Sequence, residues 1–336
     1  MWRAFYIRGD LLMSNLIEVQ DLKVWFPIKR FLKKPIFVKA VNGVNFHLRK
    51  GETLSIVGES GSGKTTLGKT CLKLIEPTSG RIIYDGRDIT HVPNKELTWY
   101  RRESQIIYQD PFSSLNPLFT IYRILEEPLI INDVKNEREE QVYKALQDVK
   151  LTPVEEFINK YPHMLSGGQR QRVSIARALI LRPRFIVADE PVSMLDVSVR
   201  VEILYLLKEL QHKYNISFLY ITHDIATVKY FSDRIAVMYA GKIVEMGDIK
   251  DVVTEPLHPY TRALIEAIPD PDPKNRFTER KVIPGEPPSP INLPSGCSFH
   301  PRCPYSDGQR CIKEEPLLRD FNDGRKVACH YVETVY

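Results

Sequence analysis

The sequence predicts an α/β fold in which helices cover a sheet of largely parallel strands. Two observations lead to this prediction. Short β-branched runs alternate with amphipathic helical patterns, which is typical of βαβ units. These runs are apolar on both faces, as strands between two layers of helices are. They cover residues 53–57, 105–108, 185–188 and 217–221.

Helical periodicity accounts for much of the remaining chain. Apolar residues recur from Val201 to Leu210 at the spacing of one helix face, so we predict a helix over 197–214, between two of the strands. Between Phe119 and about Tyr161 the pattern is helical only. We therefore expect an inserted helical subdomain, at about 110–180.

Proline and cysteine mark a boundary near the carboxyl end. More than half of the 24 prolines lie between Pro256 and Pro316, and four of the five cysteines lie between Cys297 and Cys329. A change from periodic to proline-punctuated sequence indicates a separate module. We predict an amino-terminal extension over 1–15, a main domain over 16–267 and an extension over 268–336, and we expect the main domain to have its own core.

The composition excludes several classes of protein. Of the 336 residues, 43% are hydrophobic and 26% are charged, which are ordinary values for a globular chain. The net charge of +5 is too small to indicate nucleic-acid binding. The short basic run that contains Lys29, Arg30, Lys33 and Lys34 is better explained as a solvated segment, or one near lipid headgroups, than as a nucleic-acid site.

No stretch approaches the roughly 20 apolar residues that span a bilayer. The first 13 residues include Arg3, Arg8 and Asp10 and lack the apolar core of a signal peptide. With five cysteines and no leader, we expect a soluble protein in a reducing cytosol.

A glycine-rich loop follows the first predicted strand. The segment GESGSGKT at 58–65 matches GxxxxGK[ST] and precedes a helix predicted from Thr66 to about Ile75. Glycines allow successive N–H groups to converge on phosphate oxygens, where the helix amino terminus adds positive potential. Lys64 can reach the β- and γ-phosphates and the Thr65 hydroxyl suits Mg²⁺. The predicted phosphate-binding residues are Gly58, Ser60, Gly61, Ser62, Gly63, Lys64, Thr65 and Thr66.

Two acidic residues end the strand at 185–188. Asp189 can reach Mg²⁺ through water, and Glu190 is placed to act as the general base on an attacking water. Acidic residues at a strand end are often only solvated. The pair indicates a catalytic role only because a phosphate loop precedes it in the sequence.

A second candidate anion site opens the predicted helix after Leu165. Ser166 is a natural helix N-cap, and the following Gly167 and Gly168 leave the first N–H groups of the helix accessible, with Gln169 next. Taken alone, this segment could equally be an ordinary capped helix.

Together these motifs resemble those of the ATP-binding-cassette (ABC) ATPases, over about Leu16 to Leu264. In that family GESGSGKT is the phosphate loop, LSGGQ the signature and VADEP the second acidic motif. The resemblance implies an antiparallel β portion beside the main sheet, and binding of ATP and Mg²⁺. It also implies that Gln109 in YQDP is the lever glutamine, which contacts metal and permease. Asp196 in SMLDVS would lie where two cassettes touch, and His223 in ITHD would be the switch histidine that senses the γ-phosphate.

The resemblance further implies how these residues divide the work. Glu190, His223, Gln109 and Lys64 would be catalytic, and Thr65, Gln109 and Asp189 would hold Mg²⁺. Phe26 in VWFP lies where the family stacks adenine, although Trp25 competes for that role. Phe26 could also be core, because it shares a strand face with Leu22 and Val24.

Cassettes of this family pair head to tail, so that Ser166, Gly168, Gln169 and Asp196 would contact the nucleotide held by a partner. Four segments are similar to the ATPases of peptide importers: 108–117, Val199–Arg200, 237–247 and 258–264. The QDP at 109–111 resembles the second of their two ATPase subunits.

This resemblance implies a heterodimer of cassettes beneath two permeases, at the cytoplasmic face of the membrane. An extracytoplasmic binding protein would supply oligopeptides or dipeptides. An oligosaccharide importer and a regulatory ATPase outside transport are the alternatives.

Cys297, Cys303, Cys311 and Cys329 lie in the proline-rich extension, where little apolar sequence is available to order the chain. The compartment disfavours disulfides, and the closely spaced cysteine pairs that zinc prefers are absent. An iron–sulfur cluster tolerates irregular spacing and is often followed by proline, as at Cys303-Pro304. The residues leave these options open, whereas the family resemblance favours a [4Fe–4S] cluster over Zn²⁺. Cys71 is expected to be a small buried apolar residue.

Overall fold

The computed structural model of the chain describes residues 14–30, 33–268, 285–321 and 324–332. In chain order its strands are β1 (Asn15–Arg30), β2 (Lys33–Arg49), β3 (Thr53–Val57), β4 (Ser79–Tyr84), β5 (Arg87–Asp88), β6 (Ser104–Ile107), β7 (Phe185–Asp189), β8 (Ser217–Thr222), β9 (Arg234–Tyr239), β10 (Lys242–Asp248), β11 (Arg319–Asp320) and β12 (Lys326–Val327).

The α-helices are α1 (Lys64–Cys71), α2 (Thr98–Glu103), α3 (Pro111–Ser114), α4 (Ile121–Ile131), α5 (Arg138–Asp148), α6 (Glu155–Ile158), α7 (Gly167–Leu179), α8 (Val197–Tyr214), α9 (Ile225–Phe231), α10 (Ile249–Thr254), α11 (Pro259–Glu266) and α12 (Arg310–Lys313). Short 3₁₀ turns cover Asn94–Glu96, Pro162–Met164 and His300–Arg302.

The strands form two sheets. An antiparallel sheet has the order β2-β1-β4-β5, and a larger sheet has the order β11-β12-β10-β9-β3-β8-β7-β6. The five strands from β9 to β6 run parallel, whereas β10, β12 and β11 pair antiparallel. The predicted fold class, a mixed and largely parallel sheet with an antiparallel β portion, is confirmed.

The central strands are buried on both faces because a different layer covers each face. In β7, Ile186 and Ala188 pack with the helices α4 to α9, while Phe185 and Val187 pack with α1 and the antiparallel sheet. Side chains of a strand alternate between faces, so a strand between two layers must be apolar throughout. This constraint explains why β7 has no polar position before Asp189.

Helices α3 to α7 lie within the stretch predicted to be helical, and α8 has the predicted bounds. The helix after the glycine-rich loop differs from its prediction. It begins at Lys64 because Gly63, with φ +102°, is its N-cap, and it ends at Cys71 rather than near Ile75. Lys73 has a left-handed backbone, φ +55°, which stops the helical hydrogen-bond pattern.

The carboxyl-terminal extension packs against the main domain. Phe299 packs against Tyr239 of β9 and Tyr260 of α11, with ring centroids 5.2 Å and 5.4 Å away. It belongs to the same buried cluster as the sheet and helices of the main domain. In addition, β12 pairs with β10 and so extends the larger sheet. Within the described ranges, none of the helices has both the length and the apolar character needed to cross a membrane.

We expect Phe299→Ala to lower the free energy of unfolding of the whole chain by about 3–5 kcal/mol, the usual effect of truncating a buried aromatic residue. Phe299 is 2% exposed, whereas Leu317, in the same extension, is 78% exposed and gives the matched control Leu317→Ala. Urea titration followed by tryptophan fluorescence measures both. An unchanged unfolding midpoint for Phe299→Ala would show that the extension does not share the core.

Candidate functional site

The carboxyl ends of four parallel strands meet at one edge of the larger sheet. The register pairs Val57 of β3 with Thr222 of β8, and Ile221 of β8 with Asp189 of β7. The residues that leave these strands therefore lie side by side. They are the glycine-rich loop after β3, Gln109 after β6, Glu190 after β7 and His223 after β8.

The glycine-rich loop is wedged between two strands. A Cβ at Gly63 would lie 2.0 Å from the carbonyl oxygen of Ala40, and one at Gly58 would lie 2.1 Å from that of Met238. Such distances leave no room for any side chain, so both positions require glycine. The close contacts with β2 and β9 fix the loop at the edge of the sheet.

The Lys64 amine lies inside this loop. Its Nζ donates hydrogen bonds to the carbonyl oxygens of Gly58, at 2.8 Å, and Glu59, at 2.9 Å. Burial lowers the pKa of the amine, while Glu190 and Asp189 act in the opposite direction. The loop thus surrounds the buried Lys64 ammonium group, and the two carbonyl oxygens fix the position of this group.

A hydroxyl and a carboxylate lie together beside the loop. Thr65 Oγ1 donates to Asp189 Oδ1 at 2.9 Å, which joins the start of α1 to the end of β7. Asp189 is buried, and burial raises its pKa. Two adjacent oxygen atoms, a hydroxyl and a carboxylate, are suitable ligands for a hard divalent cation such as Mg²⁺.

Glu190 is held at both carboxylate oxygens. Gln109 Nε2 donates to Glu190 Oε2 at 3.0 Å, and His223 Nδ1 lies 2.9 Å from Glu190 Oε1. The backbone N–H of Glu190 donates to Ile221 O at 2.8 Å, and the residue adopts a positive φ of 49°. The three residues predicted to act together from three separate motifs are therefore in direct contact.

These residues line an open cleft of about 690 Å³. Part of its wall is apolar and was missed from the sequence: it consists of Val38, Ala40, Leu264 and Pro290. Val38 and Ala40 read as ordinary strand residues, and no local signal connects Leu264 or Pro290 with a loop more than 200 positions earlier.

Phe26 does not pack in the core with Leu22 and Val24. Those two residues are fully buried, whereas Phe26 is 39% exposed and pairs in register with Val38 of the cleft wall. Trp25 lies against Phe37 and lines a different cavity, between the antiparallel sheet and the extension. The core alternative for Phe26 is therefore wrong, and adenine stacking stays a prediction.

The signature segment lies on a different surface. Ser166 caps α7: its Oγ accepts from Gln169 N at 3.3 Å, and Gln169 Oε1 accepts from Ser166 N at 3.0 Å. Both are accessible, and neither lines the cleft, nor does Gly168. Gly168 lies against α8, since a Cβ at this position would lie 2.7 Å from Val199 of that helix. The N-cap of α8 is Asp196, which is exposed. Signature and Asp196 thus share one exposed surface.

The four cysteines of the extension line one small cavity, together with Phe299 and several histidines. All four are free thiols, and burial raises the pKa of each, to about 11 for Cys297 and Cys303. Among the residues that the structure describes, no group of three or more His, Cys, Asp or Glu side chains is arranged to hold a metal ion. Cys71 is fully buried, and burial raises its pKa to about 12.

Comparison with known proteins agrees with this geometry. The sequence profile of the ABC transporter family matches residues 41–193, and that of the oligopeptide/dipeptide transporter carboxyl-terminal region matches residues 244–311. A solved dimeric ATP-binding cassette, bound to ADP and phosphate after hydrolysis, is 30% identical with a TM-score of 0.60 and covers 69% of this chain and 98% of its own. The cbiO1 cassette from Clostridium perfringens is 29% identical with a TM-score of 0.62, over 72% of this chain and 91% of its own.

Relatives match over nearly the full length. The oligopeptide transport ATP-binding protein AppF of Bacillus subtilis is 44% identical over 323 residues, which cover 94% of this chain and 97% of the relative. The dipeptide transport ATP-binding protein DppF of Haemophilus influenzae is 44% identical over 323 residues, which cover 95% and 98%. The chain therefore belongs to the ABC transporter family, as one of its ATP-binding, ATP-hydrolysing proteins.

Proposed function

We propose that this chain is the ATP-hydrolysing motor subunit of an importer for oligopeptides or dipeptides. The observation that carries the proposal is that the phosphate loop, Thr65 and Glu190 line one cleft, with Asp189 hydrogen-bonded to Thr65. The match to the oligopeptide/dipeptide transporter carboxyl-terminal region, and the names of the relatives, support peptides as cargo rather than oligosaccharides.

The cleft suits a nucleoside triphosphate. The backbone N–H groups of Gly61 and Gly63 and the start of α1 would bind the phosphate oxygens, with the Lys64 amine at the β- and γ-phosphates. Phe26 at the edge of the apolar wall would stack on adenine. Thr65, Asp189 and Gln109 would hold Mg²⁺, which when bound shields the negative charge of the phosphates.

Glu190 is the proposed general base. The carboxylate would accept a proton from the attacking water as the water oxygen bonds to the γ-phosphorus and the bond to the β–γ bridging oxygen breaks. Gln109 and His223 hold the two carboxylate oxygens, so the base is oriented before the substrate arrives. Release of phosphate would remove the group that both His223 and Lys64 are placed to contact.

The surface that bears Ser166, Gly168, Gln169 and Asp196 is proposed to close over the nucleotide of a second cassette. None of these residues lines the cleft of the same chain, which supports a nucleotide site shared between two cassettes. One solved cassette similar to this chain is dimeric. Here the partner would be a different ATPase subunit. Both subunits would lie at the cytoplasmic face of the membrane, beneath two permeases. An extracytoplasmic binding protein would deliver cargo to the permeases. ATP would favour the closed pair, and hydrolysis would remove that preference.

A second proposal concerns the extension: Cys297, Cys303, Cys311 and Cys329 hold a [4Fe–4S] cluster, with Zn²⁺ as the alternative. The supporting observation is that all four cysteines line one cavity. Burial keeps these thiols protonated when no metal is bound, so metal binding must be accompanied by loss of their protons. The cluster, when bound, would cross-link the loops that carry the four cysteines.

We expect Glu190→Gln to bind MgATP but to reduce turnover by about 10²–10⁴-fold, because the amide cannot accept the proton from water. Glu209→Gln is the control, since Glu209 is exposed on α8 and pairs with Lys150, away from the cleft. Phosphate release by the chain assembled with its partner cassette measures both. Near-normal turnover of Glu190→Gln would exclude Glu190 as the base.

For the cysteines, iron, sulfide and zinc are measured after anaerobic purification. We expect about four iron atoms per chain for a [4Fe–4S] cluster, or a single zinc for the alternative. Replacing any one of the four by Ser should release the metal and lower the thermal unfolding midpoint. Cys71→Ala should not release metal, because that residue lies in a different cluster of the core. A metal-free wild-type chain with an ordered extension would contradict both.

A further inference from the structure

An ion pair joins the extension that carries the cysteines to the phosphate loop. Arg302 Nη1 donates to Glu59 Oε2 at 2.8 Å, and Arg302 Nη2 donates to Glu59 Oε1 at 3.1 Å. The two side chains are 7% and 25% exposed. Two parallel N–H···O contacts between charged groups fix orientation as well as distance, and partial burial limits screening by solvent.

Glu59 connects three parts of the structure. Its side chain is held by Arg302, and its backbone N–H donates to the Tyr260 hydroxyl of α11 at 2.9 Å. Its carbonyl oxygen accepts from Lys64 Nζ at 2.9 Å and from Ser62 N at 3.2 Å. A displacement of Glu59 therefore moves an acceptor that positions the Lys64 amine.

Arg302 is itself rigidly placed. It ends the 3₁₀ turn His300–Arg302, and its backbone N–H donates to the carbonyl oxygen of Phe299 at 3.0 Å. Phe299 anchors this turn in the core of the main domain, and the Arg302 guanidinium also reaches the Tyr239 hydroxyl at 3.4 Å. The turn lies between Cys297 and Cys303, so the loops that line the cysteine cavity also set the position of Arg302.

We propose that Arg302 is a positioning residue for ATP binding, which acts through Glu59 to hold the phosphate loop and Lys64 in place. Neither Arg302 nor any of the four cysteines lines the nucleotide cleft. Arg302 thereby contributes to nucleotide affinity without contacting the nucleotide itself. This inference rests on the proposed binding of ATP at Lys64.

The experiment is a double-mutant cycle on the full chain, with the dissociation constant for a fluorescent MgATP analogue as the readout. We expect Arg302→Ala to weaken binding about tenfold, a usual size for coupling between sites. In a Glu59→Ala background the same substitution should change affinity less than twofold, because the group through which Arg302 acts is gone. Arg302→Lys should restore part of the loss.

The matched control is Arg310→Ala, in the same extension, where Arg310 pairs with Glu314 at 2.9 Å on the exposed surface. It should leave affinity unchanged. Thermal unfolding without nucleotide identifies folded variants, and the cycle is measured well below their midpoints. If Arg302→Ala does not fold, Arg302→Lys and Glu59→Gln take its place, with the same expected non-additivity.

Equal weakening by Arg302→Ala in both backgrounds would overturn the inference, because it would mean that Arg302 attracts the nucleotide through its charge alone. Unchanged affinity of a folded Arg302→Ala chain would also overturn it. If the wild-type chain shows no saturable binding, or binding that survives Lys64→Ala, the proposed function fails, and this inference fails with it.

Discussion

The parallel register of β3, β8, β7 and β6 is the constraint on which the site depends. It brings four strand ends to one edge, so that a loop, two acids, a glutamine and a histidine from distant parts of the chain become neighbours. The glycine-rich loop is fixed there by close contact with the carbonyl oxygens of Ala40 and Met238. A side chain at Gly58 or Gly63 would displace the loop, and with it the Lys64 amine.

The same architecture places the signature segment away from the cleft and links the phosphate loop to the extension. The signature and Asp196 occupy a surface apart from the cleft, which is consistent with the proposal that two cassettes share each nucleotide. In the extension, Arg302 holds Glu59 of the loop, and Phe299 packs in the buried cluster of the main domain. Changes in the extension at Arg302 are therefore expected to alter nucleotide binding through the phosphate loop.

Sequence alone predicted the elements whose signal is local. The helix over 197–214 and the buried strands follow from apolar periodicity, and the loop, acids and signature follow from motifs. Features that depend on contacts between distant residues were not predictable. The early end of α1 depends on the backbone of Lys73, and the apolar wall needs Leu264 and Pro290 to meet β2. The Arg302–Glu59 pair joins residues 243 positions apart, and its Arg lies in a segment that composition alone marks as separate.

The shared site is tested most directly by the ATP turnover of the purified chain as a function of its concentration, with its oligomeric state measured in parallel. We expect little turnover from the isolated monomer, and a rate per chain that rises when a second cassette is added or when concentration drives pairing. Robust, concentration-independent turnover by a demonstrated monomer would contradict the assignment of Ser166, Gly168, Gln169 and Asp196 to a partner's nucleotide.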